Sequence, residues 1–225
     1  MDGDSKESRG EATRRKLILA GIKLFSKYGF DSTTTRMLAQ HAGVNLSSIS
    51  FHFSNKVALY NACLQLIADK AEDIYHEAFT NAENVLANEE VGCEEAKAAI
   101  FEIMNLQFNV AFGKRYRSSL MLAYWEQVNP TQGIHPVTNL IFSKIEQTVA
   151  KLISRGANIP YKKALIASRF LNGGIVSFGE HSILVKYSIG AALDDEEMPQ
   201  WVRRQIFNHM KCFINELFEN GIAEE

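Results

Sequence analysis

The sequence predicts an all-α protein with a small N-terminal helical head, residues 1–56, and a larger helical body, residues 57–225. Apolar residues recur at intervals of three and four along most of the chain, which is the spacing of one face of an α-helix. The 225 residues include only four prolines, and no segment shows the convincing apolar–polar alternation of a half-buried strand. The composition, 46% hydrophobic and 22% charged, is ordinary for a globular chain of this length.

The first helix of the head is predicted from about Gly10 to Tyr28, and Gly29 ends it. Phe30 should then cover the core of the head. The residues expected on the buried face of this helix are Leu17, Ile18, Gly21, Leu24, Phe25 and Tyr28.

Two shorter helices are predicted next, joined by a tight turn. The first follows Thr34, whose hydroxyl can accept from the free N–H groups of the first turn. It stops at Gly43, because glycine tolerates the left-handed conformation of a C-terminal cap. The second covers about 46–53, with Asn45 as its expected N-cap. Helix, glycine turn and second helix are the parts of a helix-turn-helix, whose second helix enters the DNA major groove.

The outward face of that second helix favours DNA over an ordinary corner between helices. Ile49 and Phe53 should be buried, which leaves short hydroxyls, an aromatic ring and an imidazole outside, where Glu and Lys are usual. Hydroxyls can read donors and acceptors on base edges, and apolar groups can meet thymine methyls. The predicted base-facing residues are Leu46, Ser47, Ser48, Ser50, Phe51 and His52, and the predicted phosphate contacts are Thr34, Thr35, Arg36 and Lys56.

The body is predicted to contain long helices separated by loops. A helix capped by Ser54 should run well beyond the head, and the segment 129–136 should be a loop. The adjacent pair Gly173 and Gly174 costs about 2 kcal/mol relative to alanine inside a helix, so it suggests a close helix approach or a kink. The other predicted helices cover about 94–112, 116–128, 136–156, 160–187 and 200–219, the last burying Trp201, Ile206, Met210, Phe213, Ile214 and Leu217.

The charge distribution separates the two parts of the chain. Residues 1–56 carry nine basic and five acidic side chains, a net charge of +4. The remainder carries 15 basic and 21 acidic side chains, a net charge of −6. A basic head on an acidic body is the electrostatic pattern of a protein that meets phosphates with one end.

Three segments of the head together resemble the DNA-binding domain of the TetR (AcrR-like) family of bacterial transcription regulators. They are LFSKYGF at 24–30, TTTRMLAQHAGV at 33–44 and SFHFSNKVALY at 50–60. Within the family, the start at Asn45 and the run ISFHF are more similar to the CerR-type subgroup than to the tetracycline repressor. Many members have Gly-Thr-Leu-Tyr where this chain has residues 47–50, and Glu where it has Val57, so the resemblance leaves the operator sequence open.

The resemblance implies a TetR-like fold and a ligand-responsive repressor, with activation as the alternative. It implies a double-stranded DNA operator with a palindromic sequence, a homodimer through helices near 160–187 and 200–219, and a small-molecule effector in the body. The expected effector-binding residues are Phe101, Met104, Phe108, Met121, Trp125, Phe178 and His181, with Gln107, Glu126 or His181 as polar anchors. The alternative is that this aromatic and methionine stripe is ordinary core.

Other classes of protein find less support in the sequence. Cys63, Cys93 and Cys212 are isolated and lack CxxC spacing, so we expect free thiols, no disulfide, no metal site and no cofactor. No apolar run reaches the length of a membrane span, and the expected location is the cytoplasm. The main alternative is a helical small-molecule-binding protein or enzyme whose helix-turn-helix is only structural. No nucleophile elbow, metal cluster or Gly-rich phosphate loop supports the enzyme. A scaffold whose helix-turn-helix binds protein is a third possibility.

Overall fold

The computed structural model describes residues 8–130, 137, 142–180, 182–191 and 198–220. Over these residues it is all-α, with no strand, as predicted. A 3-10 turn at Lys114–Tyr116 precedes α6. The helices are α1 (Arg9–Ser32), α2 (Thr35–Ala42), α3 (Ser47–Phe53), α4 (Lys56–Ala87), α5 (Cys93–Phe112), α6 (Arg117–Val128), α7 (Lys144–Gly156), α8 (Tyr161–Glu180), α9 (Ser182–Ser188) and α10 (Gln200–Asn220).

The chain divides into two compact units. The head unit comprises Met1–Lys70 and Ser118–Thr138, and the body unit comprises Ala71–Arg117 and Asn139–Glu225. Helix α4 is therefore one continuous helix that belongs to the head unit in its first half and to the body unit in its second half. The boundary predicted at residue 56 separates a DNA-binding part from a ligand-binding and dimerisation part, whereas the compact units divide elsewhere. The predicted functional boundary stays a prediction.

The core of the head unit is built from α1, the first half of α4 and the helix-turn-helix. Phe25 is fully buried, and its ring meets Tyr60 edge-on at a centroid distance of 5.0 Å. Gly21 permits α1 to approach α4 closely, because a Cβ there would lie 2.5 Å from the sulfur of Cys63. Gly29 breaks α1 with φ 76°, as predicted. Tyr28 does not belong to this core: it is 43% exposed, and its ring lies 4.9 Å from the ammonium of Lys27.

The body unit is centred on α5, α7 and α8. Its fully buried side chains come from several helices and interlock in one apolar core: Ile100, Ile103, Leu152, Ile153, Ile175 and Ile214. One buried polar pair crosses this core, since the Gln107 amide donates to the Asn172 side chain and so satisfies both groups. The Ser168 hydroxyl donates to the Glu146 carbonyl at 2.8 Å and ties α8 to α7.

Several expectations for the body need correction or lie outside the described residues. Trp201 was expected in the core but is 57% exposed, because it lies in the first turn of α10 on the face away from Ile206 and Ile214. Gly173 and Gly174 lie inside α8 without a nearby group, since a Cβ at either would meet nothing within 4 Å. The predicted helix start at Pro136 and most of the loop 190–199 fall outside the described residues. Over the helices that are described, none is long and apolar enough to cross a membrane.

Candidate nucleic-acid interface

The corner between α2 and α3 has the geometry that the sequence predicts. The Thr34 hydroxyl accepts from the Met37 amide at 3.2 Å and caps α2. Gly43 ends α2 in the left-handed region, with φ 65° and ψ 39°. The chain then turns back, and the Val44 amide donates to the Ala39 carbonyl at 3.0 Å. This glycine-centred turn is what sets α3 at its angle to α2.

Helix α3 is anchored on one side and open on the other. Ile49 and Phe53 are buried, at 2% and 5% exposure. The guanidinium of Arg14 lies over the Phe53 ring at 5.1 Å, so Arg14 supports α3 from behind. The predicted base-facing residues lie on the other side: Leu46, Ser47, Ser50 and Phe51 are exposed, and Ser48 and His52 are half-buried. Phe51 is the most exposed of the large apolar residues that the structure describes, at 84% exposure against 53% for Leu46.

The caps on either side of α3 differ from the prediction. Asn45 does not cap the helix through its side chain; its carbonyl accepts from the Ser48 amide at 3.0 Å, and α3 begins after Leu46. Ser54 does not cap α4, because it makes the reverse turn itself with φ 65° and ψ −46°. The cap of α4 is Asn55, whose side-chain oxygen accepts from the Ala58 amide at 2.8 Å.

Lys56 has a different position from the one expected of a phosphate contact. Its ammonium donates to the Phe30 carbonyl at 3.0 Å and to the Thr33 carbonyl at 3.2 Å, and it lies 4.2 Å from the Phe30 ring centroid. Two of its three N–H donors thus hold the end of α1 to the start of α4. Lys56 therefore holds the two helices together, and a phosphate contact, which stays a prediction, would use the remaining N–H.

Thr33 is a structural residue that the sequence analysis missed. It is fully buried, and its hydroxyl donates to the Gly29 carbonyl at 2.7 Å. A short hydroxyl a few residues after a glycine break is a general signal for such a local bond. The neighbouring Thr34 and Arg36 are exposed and Thr35 is half-buried, all at the amino end of α2, where free N–H groups favour an anion.

Comparison with known proteins identifies this arrangement. A family model described as bacterial regulatory proteins, tetR family, matches residues 17–63, which span most of α1, the helix-turn-helix and the start of α4. Along the full length, the chain is 26% identical to the HTH-type transcriptional dual regulator CecR of Shigella flexneri, over 99% of this chain and 100% of that protein. Residues 17–63 therefore carry the DNA-binding domain of the TetR family. By this similarity the chain is a DNA-binding transcriptional regulator and not an enzyme.

Two further similarities agree with this assignment. The chain is 38% identical to the HTH-type transcriptional regulator RutR of Escherichia coli K12 over 65 residues, which are 28% of this chain and 31% of RutR. Its fold matches a TetR-like transcriptional regulator from Rhodococcus sp. RHA1 with a TM-score of 0.61 at 14% identity, over 96% of this chain and 100% of the other. These matches do not identify the CerR-type subgroup, which stays a prediction.

The residues predicted to bind an effector lie, where the structure describes them, on three helices divided between the two compact units. Phe101, Met104 and Phe108 lie on α5 in the body unit, where Met104 and Phe108 are buried. Phe178 lies on α8 at 37% exposure. Met121 and Trp125 belong to α6, which is counted in the head unit, and His181 lies outside the described residues. Their role in effector binding therefore stays a prediction.

Two of the predicted polar anchors, Gln107 and Glu126, form hydrogen bonds within the chain. Gln107 bonds to Asn172 as described above, and the buried Glu126 accepts from the Tyr60 hydroxyl at 2.8 Å. Burial raises the pKa of Tyr60 well above its usual range, and the bond to Glu126 adds to the effect. Burial also raises the pKa of the Cys63 thiol, which marks it as unreactive. In the described part of the chain, no cluster of three or more His, Cys, Asp or Glu could hold a metal.

Proposed function

We propose that this TetR-family regulator is a ligand-responsive repressor that binds a palindromic operator as a homodimer in the bacterial cytoplasm. The observation that carries the proposal is the exposed face of α3, which presents an aromatic ring and hydroxyls from a basic head. A protein that covers promoter DNA in this way blocks transcription, so repression is the expected outcome. The cytoplasm is where a bacterial operator is found.

The base-reading role falls on the outward residues of α3. Ser47 and Ser50 offer hydroxyls that donate to or accept from base edges, and the 84% exposed Phe51 offers an apolar surface to a thymine methyl. Thr34, Thr35 and Arg36 at the start of α2 supply phosphate contacts that fix the register. One such short helix reads only a few base pairs, so a specific operator needs two heads in successive major grooves.

The homodimer is supported by an open apolar face on α8. Ile166 and Phe170 are 72% and 68% exposed. About one turn after Phe170, Gly173 and Gly174 face open space. A contiguous exposed apolar face of this kind marks a protein–protein contact, and glycines let two helix backbones approach closely. The ring of Phe170 lies 5.1 Å from Phe213 on α10, so the face continues onto the last helix. A second copy of the chain is its proposed occupant.

The response to a ligand is proposed to pass through α4. This helix has 32 residues, about 48 Å at 1.5 Å per residue, and it is unbroken from Lys56 to Ala87. A displacement of its second half by a ligand in the body unit would therefore move its first half as well. Only about 1.4 kcal/mol of coupling is needed for a tenfold change in operator affinity. A candidate regulator from Saccharomonospora viridis, with a TM-score of 0.60 at 17% identity over 94% of this chain and 98% of that one, was solved in complex with choline.

Selection of bound DNA from a random pool tests the proposal. The full-length protein should recover an inverted repeat whose half-site spacing reports a pair of heads. Its affinity for that repeat should fall steeply as salt rises, with a log–log slope of about −0.9 for each phosphate contact. Equal affinity for the repeat and for random DNA at every salt concentration would contradict a sequence-specific regulator.

A further inference from the structure

A cleft of about 670 Å³ in the body unit has an unusual electrostatic lining. It lies between the carboxyl end of α5, the 3-10 turn that follows, and the start of α10. Three basic side chains line it, Lys114, Arg115 and Arg203, and no acidic residue is among the described residues that do so. The positive charge of this lining is opposite in sign to the net charge of residues 57–225, which is −6.

The rest of the lining is largely apolar. Ile74 of α4, Leu106 and Phe112 of α5, and the buried Met198 supply hydrophobic surface beside the basic groups. A volume of this size is typical of sites for small organic ligands, which combine an apolar wall with a few polar groups. The basic groups of the cleft favour a negatively charged group on the ligand. Its apolar wall favours a hydrophobic part of the same ligand.

Arg203 is held in place by aromatic rings. Its guanidinium lies 5.5 Å from the centroid of Phe108 and 5.8 Å from that of Phe112. Stacking of a guanidinium on rings uses its face and leaves its N–H groups directed in the plane, where they match a carboxylate or a phosphate. Such an arginine is ordered before any ligand arrives, which lowers the entropic cost of binding.

The turn that carries the other two basic residues is closed onto α5. A Cβ at Gly113 would lie 2.7 Å from the Asn109 carbonyl, so only glycine allows this approach. The Tyr116 amide then donates to the Gly113 carbonyl at 3.0 Å and completes the 3-10 turn. The guanidinium of Arg115 lies 4.4 Å from the Tyr116 ring centroid and bonds to its hydroxyl. The turn thereby places Lys114 and Arg115 at the edge of the cleft.

We propose that this cleft binds an amphipathic organic anion, with its carboxylate or phosphate at Arg115 and Arg203 and its apolar part against Ile74, Leu106 and Met198. The inference rests on the proposed function, in which the body unit binds an effector, and it names the chemical class of that effector. A ligand there touches α4 directly through Ile74. The cleft is separate from the seven residues that the sequence predicted, since none of the six that are described lines it.

Calorimetric titration of the full-length protein without DNA tests the inference with four probes that share a ten-carbon chain. Decanoate and decyl phosphate carry the anionic groups, decan-1-ol is neutral, and decyltrimethylammonium is cationic. Both anions should bind at least tenfold more tightly than the alcohol, and the cation should bind most weakly. Equal affinity for the anions and the alcohol would overturn the inference.

Three variants locate the site. Arg203→Gln and Arg115→Gln should each weaken decanoate binding about tenfold and leave the alcohol unchanged. Arg204→Gln is the matched control, because Arg204 is an exposed neighbour that does not line the cleft. Arg203→Gln loses two ring contacts and could be less stable. Arg115 is exposed, so we expect Arg115→Gln to keep the fold and to test the site independently. Full decanoate affinity in both Arg115→Gln and a correctly folded Arg203→Gln would place the anion elsewhere and overturn the inference.

Operator binding by the same proteins, measured by fluorescence anisotropy, separates this inference from the proposed function. A protein that binds its selected repeat but shows no preference for anions would contradict the cleft inference alone. A protein that binds anions in the cleft but no DNA sequence preferentially would contradict the regulator proposal alone. Release of the operator by decanoate, lost in Arg115→Gln, would support both together.

Discussion

Phe51 on α3 and Phe170 on α8 are two strongly exposed phenylalanines with different surroundings. Their side chains are 84% and 68% exposed. Phe51 lies among hydroxyls and an imidazole in a basic head, whereas Phe170 lies one turn from Ile166 and one turn from a glycine pair. The first set can hydrogen-bond to base edges, while the second can only pack against another apolar surface. The neighbours of an exposed aromatic ring, more than its exposure, therefore indicate its partner.

The largest expected effect is at the apolar face. Phe170→Asp places a charge where a second copy should pack, so the protein should become monomeric and lose operator affinity by more than 100-fold. Sedimentation equilibrium and DNA anisotropy measure the two outcomes. Asn105→Asp is the control, since Asn105 is exposed on α5 outside the proposed contact. A dimeric Phe170→Asp protein with full DNA affinity would remove the distinction between the two faces.

The second effect concerns the polar face. Phe51→Ala should weaken operator binding by about 2 kcal/mol, roughly 30-fold, because an apolar base contact is lost. Its melting temperature should stay unchanged, as the ring contributes little to the core at 84% exposure. Phe53→Ala, two residues along and buried, should do the reverse and lower the melting temperature first. Retained affinity in Phe51→Ala would show that α3 does not read bases through this ring.

The third effect separates structural from phosphate-binding cations in the head. Lys56→Gln should lower the free energy of unfolding by about 1.5 kcal/mol, because two charge-assisted bonds to carbonyls are lost. The salt dependence of DNA binding should keep its slope. Arg36→Gln, at an exposed position, should leave stability unchanged and reduce the magnitude of that slope by about 0.9. A reduced slope in Lys56→Gln would support the phosphate contact predicted from the sequence.

The smallest effect tests which residue caps α4. Asn55→Ala should destabilise the protein by about 1 kcal/mol, since its side chain accepts from the Ala58 amide. Ser54→Ala should cost less, because Ser54 occupies the turn and not the cap. Chemical denaturation of the two variants compares them directly, and a larger loss in Ser54→Ala would favour the cap that the sequence predicted.

The features predicted correctly from the sequence are local ones. Thr34 and Gly43 act within their own turns, so residue type and spacing were sufficient. The partners of Lys56 lie 26 and 23 residues away, and no periodicity reveals them. Helical spacing in the body gave the extent of α5 and α10 but not which faces meet. This is why Trp201 was assigned to the core although it is 57% exposed.

Helix α3 has only seven residues and lies between two backbone positions with φ 65°, Gly43 and Ser54. One inserted or deleted residue would rotate the rest of the helix by about 100° and exchange its outward groups for Ile49 and Phe53. We therefore expect selection against insertions and deletions in this helix. After gene duplication, two daughter regulators could acquire separate operators only by exchanging side chains at fixed positions, so their binding preferences should diverge in discrete, alignable steps.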